Sequence, residues 1–318
     1  MGNIKHLGQY IPLTEEVLYV FLCFMKTIKK AVIPVAGLGT RFLPITKTIP
    51  KEMLPIVDKP NLLYIIEEAV SAGIEDIVLI QGRNKYSIED FFDVSYELED
   101  RLLKDNKSAL LDKIKHLKSL CNIISIRQKQ ALGLGHAVFC AKPVVGDNPF
   151  ALLLGDEIMY TEPNTPTVTQ QLITHSQKNN ISTVATMQVP DSDVSKYGII
   201  KTETINDNRF KILDVIEKPD LKTAPSNFAL PGRYVFSSAI FEDLKNTKPS
   251  KNGEIQLTDA MVMLAKSKGL EAITFQGTRY DAGDKFGFLH ANIEFALRHP
   301  EVKEQLKKYI ISKSKELI

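Results

Sequence analysis

Arg41 and Lys51 stand ten residues apart, and Arg41 directly follows the run Gly37-Leu38-Gly39-Thr40. Two cations beside a glycine loop suit an anion whose charge is spread over several oxygens, as in phosphate. Without a Cβ at Gly37 or Gly39 the backbone can take positive φ and come close to a ligand, so that successive N–H groups turn toward one anion. Thr40 and Arg41 add side-chain donors. The plain alternative is an ordinary tight turn, against which Arg41, Lys47 and Lys51 speak by their number. Two better-known phosphate loops do not fit. A dinucleotide fold asks for a third glycine where Phe42 stands, and Gly-Lys-Ser/Thr of an NTPase loop is absent from the chain.

A carboxylate closes another such element. Asp156 ends the apolar run Phe150-Ala151-Leu152-Leu153-Leu154-Gly155, at the carboxyl end of a strand, where open α/β sheets place their ligands. A hard dication such as Mg²⁺ takes oxygen ligands there, one or two from carboxylates and the rest from phosphates and water. Glu157 next to it reads as facing elsewhere. Glu217-Lys218-Pro219 ends a further strand; neighbours on a strand point to opposite faces unless the strand has already ended, and Pro219 suits such an ending. His136 reads as structural.

The elements that position these groups alternate. Ala31-Val32-Ile33 and Val35-Ala36 form an apolar run of strand length. Asn61 is expected to cap a helix whose apolar face includes Leu62, Ile65, Ile66 and Ala69, Gly73 to end it, and Ile77 to Ile80 to form the next strand. Later strands are expected at Ile123 to Arg127, Phe150 to Leu154, Thr183 to Met187, Ile212 to Ile216 and Tyr234 to Phe236. This pattern predicts a Rossmann-like α/β fold, a mostly parallel mixed sheet covered by helices on both faces. Ser87 to Leu120 is charged, with apolar residues at helical spacing, and reads as a helical insertion within a domain spanning 25–300. The segment from Lys285 on reads as helical, with a C-terminal helix over 301–318.

Composition excludes several classes. The formal net charge is +2 over 318 residues with 44% apolar content, which suits one substantial globular domain and argues against a nucleic-acid surface. Cys23, Cys121 and Cys140 are too few and scattered for a metal cluster and read as reduced cytoplasmic thiols. Val17 to Phe24 is apolar but far short of the about 20 residues a bilayer demands, and charges flank it, so no membrane association is expected.

The stretch GLGTRFLPITKTIPKEMLP resembles the signature of sugar-1-phosphate nucleotidylyltransferases, in wording closest to the bacterial UTP–glucose-1-phosphate uridylyltransferases. The blocks GLGHAV, LLLGDE, KYGII, VIEKP, GRYVF, EIQLTDA and YDAGDK extend the similarity from about Lys29 to His299. It begins just after Met25, so residues 1–24 read as an extension upstream of the natural start. The resemblance implies transfer of a uridylyl group from UTP to glucose 1-phosphate with Mg²⁺, giving UDP-glucose and pyrophosphate. By it, Arg41, Lys51 and Lys218 are catalytic. Ala36, Gly37, Leu38, Gly39, Thr40, Glu52, Gln128 and Gly133 contact the nucleotide, with Gln128 answering uracil through its amide. Gly198, Glu217 and Lys218 hold the sugar phosphate, and Asp156 and Asp281 hold the metal. It further implies a homodimer or homotetramer. Thymidylyl transfer to glucose 1-phosphate and a non-catalytic UDP-sugar sensor are the alternatives; Phe42 weakens an NAD-binding oxidoreductase.

Overall fold

The computed structural model describes residues 27–317. The N-terminal extension, Val17 to Phe24 and Cys23 lie outside the described residues. In chain order the strands are β1 (Lys30–Val35), β2 (Pro55–Ile56), β3 (Lys59–Pro60), β4 (Asp76–Gln81), β5 (Asn122–Arg127), β6 (Phe150–Leu153), β7 (Glu157–Tyr160), β8 (Ser182–Gln188), β9 (Gly198–Asn206), β10 (Arg209–Glu217), β11 (Phe228–Ala229), β12 (Arg233–Phe236), β13 (Leu270–Thr274) and β14 (Thr278–Asp281). Ten of them form one sheet in the order β11-β9-β10-β13-β8-β12-β6-β1-β4-β5.

Side chains along a strand alternate between faces, and β1 follows this rule. Val32 joins an apolar layer with Val78, Phe150 and Leu152, packed under the helices Leu134–Cys140, Ile240–Asn246 and Leu257–Ser267. Ala31, Ile33 and Val35 join the opposite layer with Ile77, Leu79 and Leu153, under the helices Asn61–Ser71, Tyr86–Phe92 and Val168–Asn179. Helices thus cover both faces of the sheet, as an α/β reading requires.

Parallel pairing is concentrated in β6-β1-β4-β5, with β8 and β13 a second parallel pair. Elsewhere in the sheet the pairs run antiparallel, because β9 turns directly back into β10 and β12 enters reversed between β6 and β8. Within 87–120 lie the helices Tyr96–Lys104 and Ser108–Lys115, and the C-terminal part carries Lys285–Ala296 and Lys303–Leu317.

One expectation about local structure changes, and one element is new. Asn61 does not cap its helix: Pro60 takes the N-cap place, and the buried Asn61 side chain instead donates from Nδ2 to the Gly155 carbonyl at 2.9 Å. The chain just before Asp156 is thereby tied to the helix after the glycine loop. The short ribbon of β7 and β14, which pairs Glu157 with Asp281, has no counterpart in the sequence reading.

Candidate active site

The glycine loop leaves β1 at the carboxyl edge of its sheet. Gly39 is left-handed, at φ 65°, where a side chain would be strained and where a Cβ would also meet Thr46 and Lys51 at 3.0–3.2 Å. Thr46 fastens the loop by donating from its hydroxyl to the Gly39 carbonyl at 2.7 Å. Gly37, Leu38, Thr40 and Arg41 are open to solvent, while Ala36 and Gly39 are half-buried.

Lys51 folds back beneath this loop. Its Cε lies 3.6 Å from where a Cβ of Gly37 would be, and its Nζ donates to Asp156 Oδ2 at 2.7 Å. Burial works against the charge of Lys51, but Asp156 and Glu52 outweigh it, and the ammonium is held above its ordinary pKa. For Asp156 burial would raise the pKa; the Lys51 charge and hydrogen bond, with Arg41 beyond, bring it below the usual carboxylate range. Arg41 reaches across the site and donates to the Gly283 carbonyl at 3.3 Å.

Gly283 separates two carboxylates. A Cβ on it would lie 2.9 Å from Asp156 Oδ2 and 3.0 Å from Asp281 Oδ1, so only a glycine leaves this cradle of oxygens clear. The Ala282 N–H donates to the Asp156 carbonyl and the Gly283 N–H to Asp281 Oδ1, both at 2.8 Å. Two carboxylates converging on one glycine suit a small divalent cation that takes its other ligands from phosphate and water. Among the described residues no larger group of three or more acidic, His or Cys ligands occurs.

Glu157 turns away from the cradle, into a bidentate pair with Arg279. Burial pushes its carboxyl up to about 8, although Arg279 pulls the other way.

The opposite side of the site is built at the end of β10. Lys218 adopts φ 45° immediately after the strand, and its N–H donates to the Tyr197 carbonyl at 3.0 Å. This left-handed turn breaks strand alternation, so Glu217 and Lys218 both remain exposed with Nζ 3.5 Å from Oε1. The Glu217 carboxylate also stands over Gly198, 3.4 Å from the place of a Cβ. The structure therefore brings Glu217, Lys218 and Gly198 together.

Three of the residues assigned from sequence are engaged with the chain itself. Glu52 is wholly buried beneath the loop, its Oε2 paired with Lys85 Nζ at 2.7 Å and its Oε1 without a hydrogen-bond partner. Gly133, at φ 91°, passes its open face against Glu254 and Ile255, whose atoms would lie 2.8–3.1 Å from a Cβ, so the close approach there is to the chain itself. Gln128 is buried and donates from Nε2 to the Gly133 carbonyl at 3.2 Å, with His136 Nδ1 at 3.0 Å. Its amide braces the 131–135 turn, and His136 belongs to that brace. Lys47 is exposed.

Sequence reasoning missed Lys85, Arg233 and Arg279. Arg233 is fully buried and donates to both oxygens of Glu68 and, at 2.6 Å, to the Glu157 carbonyl, one residue from Asp156. Arg279 lies two residues before Asp281 on the same strand, and that spacing alone puts both on one face.

Residues 30–296 match the nucleotidyl transferase family. A UTP–glucose-1-phosphate uridylyltransferase of Bacillus subtilis is 50% identical over 89% of this chain and 96% of its own length. A solved UDP-glucose pyrophosphorylase, complexed with UDP-glucose, is 45% identical and superposes with a TM-score of 0.79, covering 86% of this chain and 100% of that one. A UTP-bound enzyme of the same kind from Acinetobacter baumannii is 41% identical with a TM-score of 0.83, over 90% and 99% of the two chains. With a phosphate-type glycine loop, a lysine on its carboxylate and likeness along nearly the full length of these relatives, the chain belongs to the nucleotidyl transferase family, among its UTP–glucose-1-phosphate uridylyltransferases.

Proposed function

We propose that the chain transfers the uridylyl group of UTP to glucose 1-phosphate, releasing pyrophosphate and forming UDP-glucose. The observation that carries this reading is the meeting of Lys51, the open glycine loop and the Asp156–Gly283–Asp281 cradle on one side, with Lys218 and Glu217 turned out together at the end of β10 on the other.

A phosphate oxygen of glucose 1-phosphate attacks the α-phosphorus of UTP. The new O–P bond forms as the bond to the bridging β-phosphate oxygen breaks, and the electron pair leaves on pyrophosphate. The sugar phosphate is already ionised near neutral pH, so no general base is needed. Lys51 and Arg41, with the N–H groups of the Ala36–Thr40 loop, hold the triphosphate and balance the charge that grows on the leaving group. Lys218 holds the attacking phosphate, Glu217 accepts from sugar hydroxyls, and Gly198 leaves the ring room. Gln128 serves the base side through the turn it braces. Asp156 and Asp281 would hold Mg²⁺, which supplies charge neutralisation at the phosphates.

No helix among the described residues is long and apolar enough to cross a membrane. The working compartment in this reading is the cytoplasm, and the assembly a homodimer or homotetramer, which light scattering would measure.

The test is pyrophosphate release with Mg²⁺ and glucose 1-phosphate, comparing UTP, dTTP, ATP, CTP and GTP at equal concentration. Preference for UTP is expected. Preference for dTTP would move the enzyme to thymidylyl transfer, and no release with any of them would overturn the assignment.

A further inference from the structure

One guanidinium joins the two sides of the site. Arg279 donates to both oxygens of Glu157, to Asp281 Oδ2 at 3.0 Å and to the Tyr197 hydroxyl at 2.9 Å. Its Cζ also lies 4.9 Å from the centre of the Tyr197 ring, and the side chain is only 11% exposed. All three of its nitrogens are engaged. On one side its partner is a carboxylate of the cradle. On the other it is Tyr197, whose backbone carbonyl receives the Lys218 N–H and which directly precedes Gly198.

We propose that Arg279 is a positioning residue that sets both halves at once: it orients Asp281 toward the cation cradle and, through Tyr197, fixes the turn that presents Lys218 to the sugar phosphate. Glu157 takes Nε and Nη2 of the guanidinium, and Asp281 is held by it through Oδ2 alone. A lysine could not replace Arg279. An ammonium is one point charge and cannot grip a carboxylate with two nitrogens while a third reaches a phenol. Tyr197 is held by stacking as well as by hydrogen bond, so loss of its hydroxyl loosens one arm of the coupling and leaves the other in place.

The proposal rests on the uridylyl-transfer reading, and two assays keep their failures apart. Turnover of the unaltered chain with UTP and glucose 1-phosphate tests the reading; Mn²⁺ titration followed by electron paramagnetic resonance tests the cradle without turnover. Arg279→Lys is expected to weaken Mn²⁺ binding by about 10- to 100-fold, the usual effect of removing a partner that orients a metal ligand, and to raise the KM for glucose 1-phosphate. Tyr197→Phe is expected to raise the KM for glucose 1-phosphate while Mn²⁺ binding stays as in the unaltered chain. A folded Arg279→Lys with unchanged Mn²⁺ binding and unchanged KM, altered only in melting temperature, would overturn the proposal. Should that variant fail to fold, Tyr197→Phe decides alone, and an unchanged KM for glucose 1-phosphate overturns the coupling.

Discussion

Lys51 and Asp156 meet at 2.7 Å although 105 residues separate them. Each is the other's main favourable charge, and each has a further role in the proposed reaction: the lysine toward the triphosphate and the carboxylate toward a cation. The ion pair holds both groups charged and pointed into the site before a ligand arrives, so little reorganisation accompanies binding. Lys51→Ala should lower turnover by about 10²–10³, with the chain still folded. A steady-state comparison with circular dichroism as the folding control checks this, and near-normal turnover would remove Lys51 from the chemistry.

Lys218→Ala should raise the KM for glucose 1-phosphate and depress turnover while leaving the KM for UTP as it was. The left-handed turn at Lys218 leaves its amine 3.5 Å from Glu217 Oε1 at the end of β10. Kinetics with each substrate varied in turn read the difference; equal effects on both substrates would place Lys218 elsewhere.

Gly283→Ala puts a methyl group 2.9–3.0 Å from oxygens of Asp156 and Asp281. Both carboxylates must shift, so the Mg²⁺ concentration needed for half-maximal rate should rise by about 10-fold or more. A magnesium titration of the variant checks this, and an unaltered curve would show that no cation sits between these carboxylates.

Arg233 and Glu68 form an ion pair with almost no solvent contact. Removing one partner strands the other charge in the interior, so Arg233→Met should cost about 3–5 kcal/mol, read by denaturant unfolding. Because Arg233 also holds the Glu157 carbonyl, the loss should reach activity as well.

Glu271 gives a dependence on pH. Burial raises its pKa, but Arg209, gripping both its oxygens, and His175 bring it below the ordinary 4.5. A carboxyl lowered in the folded state adds stability above its unfolded pKa and loses it as pH falls through the folded value. Glu271→Gln should therefore be less stable than the unaltered chain at pH 7, with the gap closing as pH falls below about 4. Urea midpoints measured across that range test the sign.

The glycine loop, Asp156 and Glu217-Lys218 are legible in the sequence because each follows an apolar strand at a marked ending. Short β-rich runs also locate β4, β5, β6, β8, β10 and β12. Groups whose place is decided by a distant partner are not legible. Glu52 adjoins Lys51 and reads as a ligand contact, yet Lys85 from the next loop draws it inward. Asn61 has the chemistry of a cap, but the Gly155 carbonyl claims it. Gly133 needs positive φ for a crossing with Glu254 and Ile255 that nothing nearby in the sequence announces. β14, Thr-Arg-Tyr-Asp, has no apolar run to mark it, and its pairing with β7 is what sets Asp281 beside Asp156.

That ribbon also governs when the protein can begin to work during its synthesis. β1 and its loop leave the ribosome early, and β7 follows near mid-chain, but the strand carrying Arg279 and Asp281 arrives only after some nine-tenths of the 318 residues have been made. A nascent or prematurely terminated chain can display a phosphate loop, yet without β14 it has half a cradle and no bridge to Tyr197. On the proposed mechanism, copies that stop before β14 would lack Arg279 and Asp281 together.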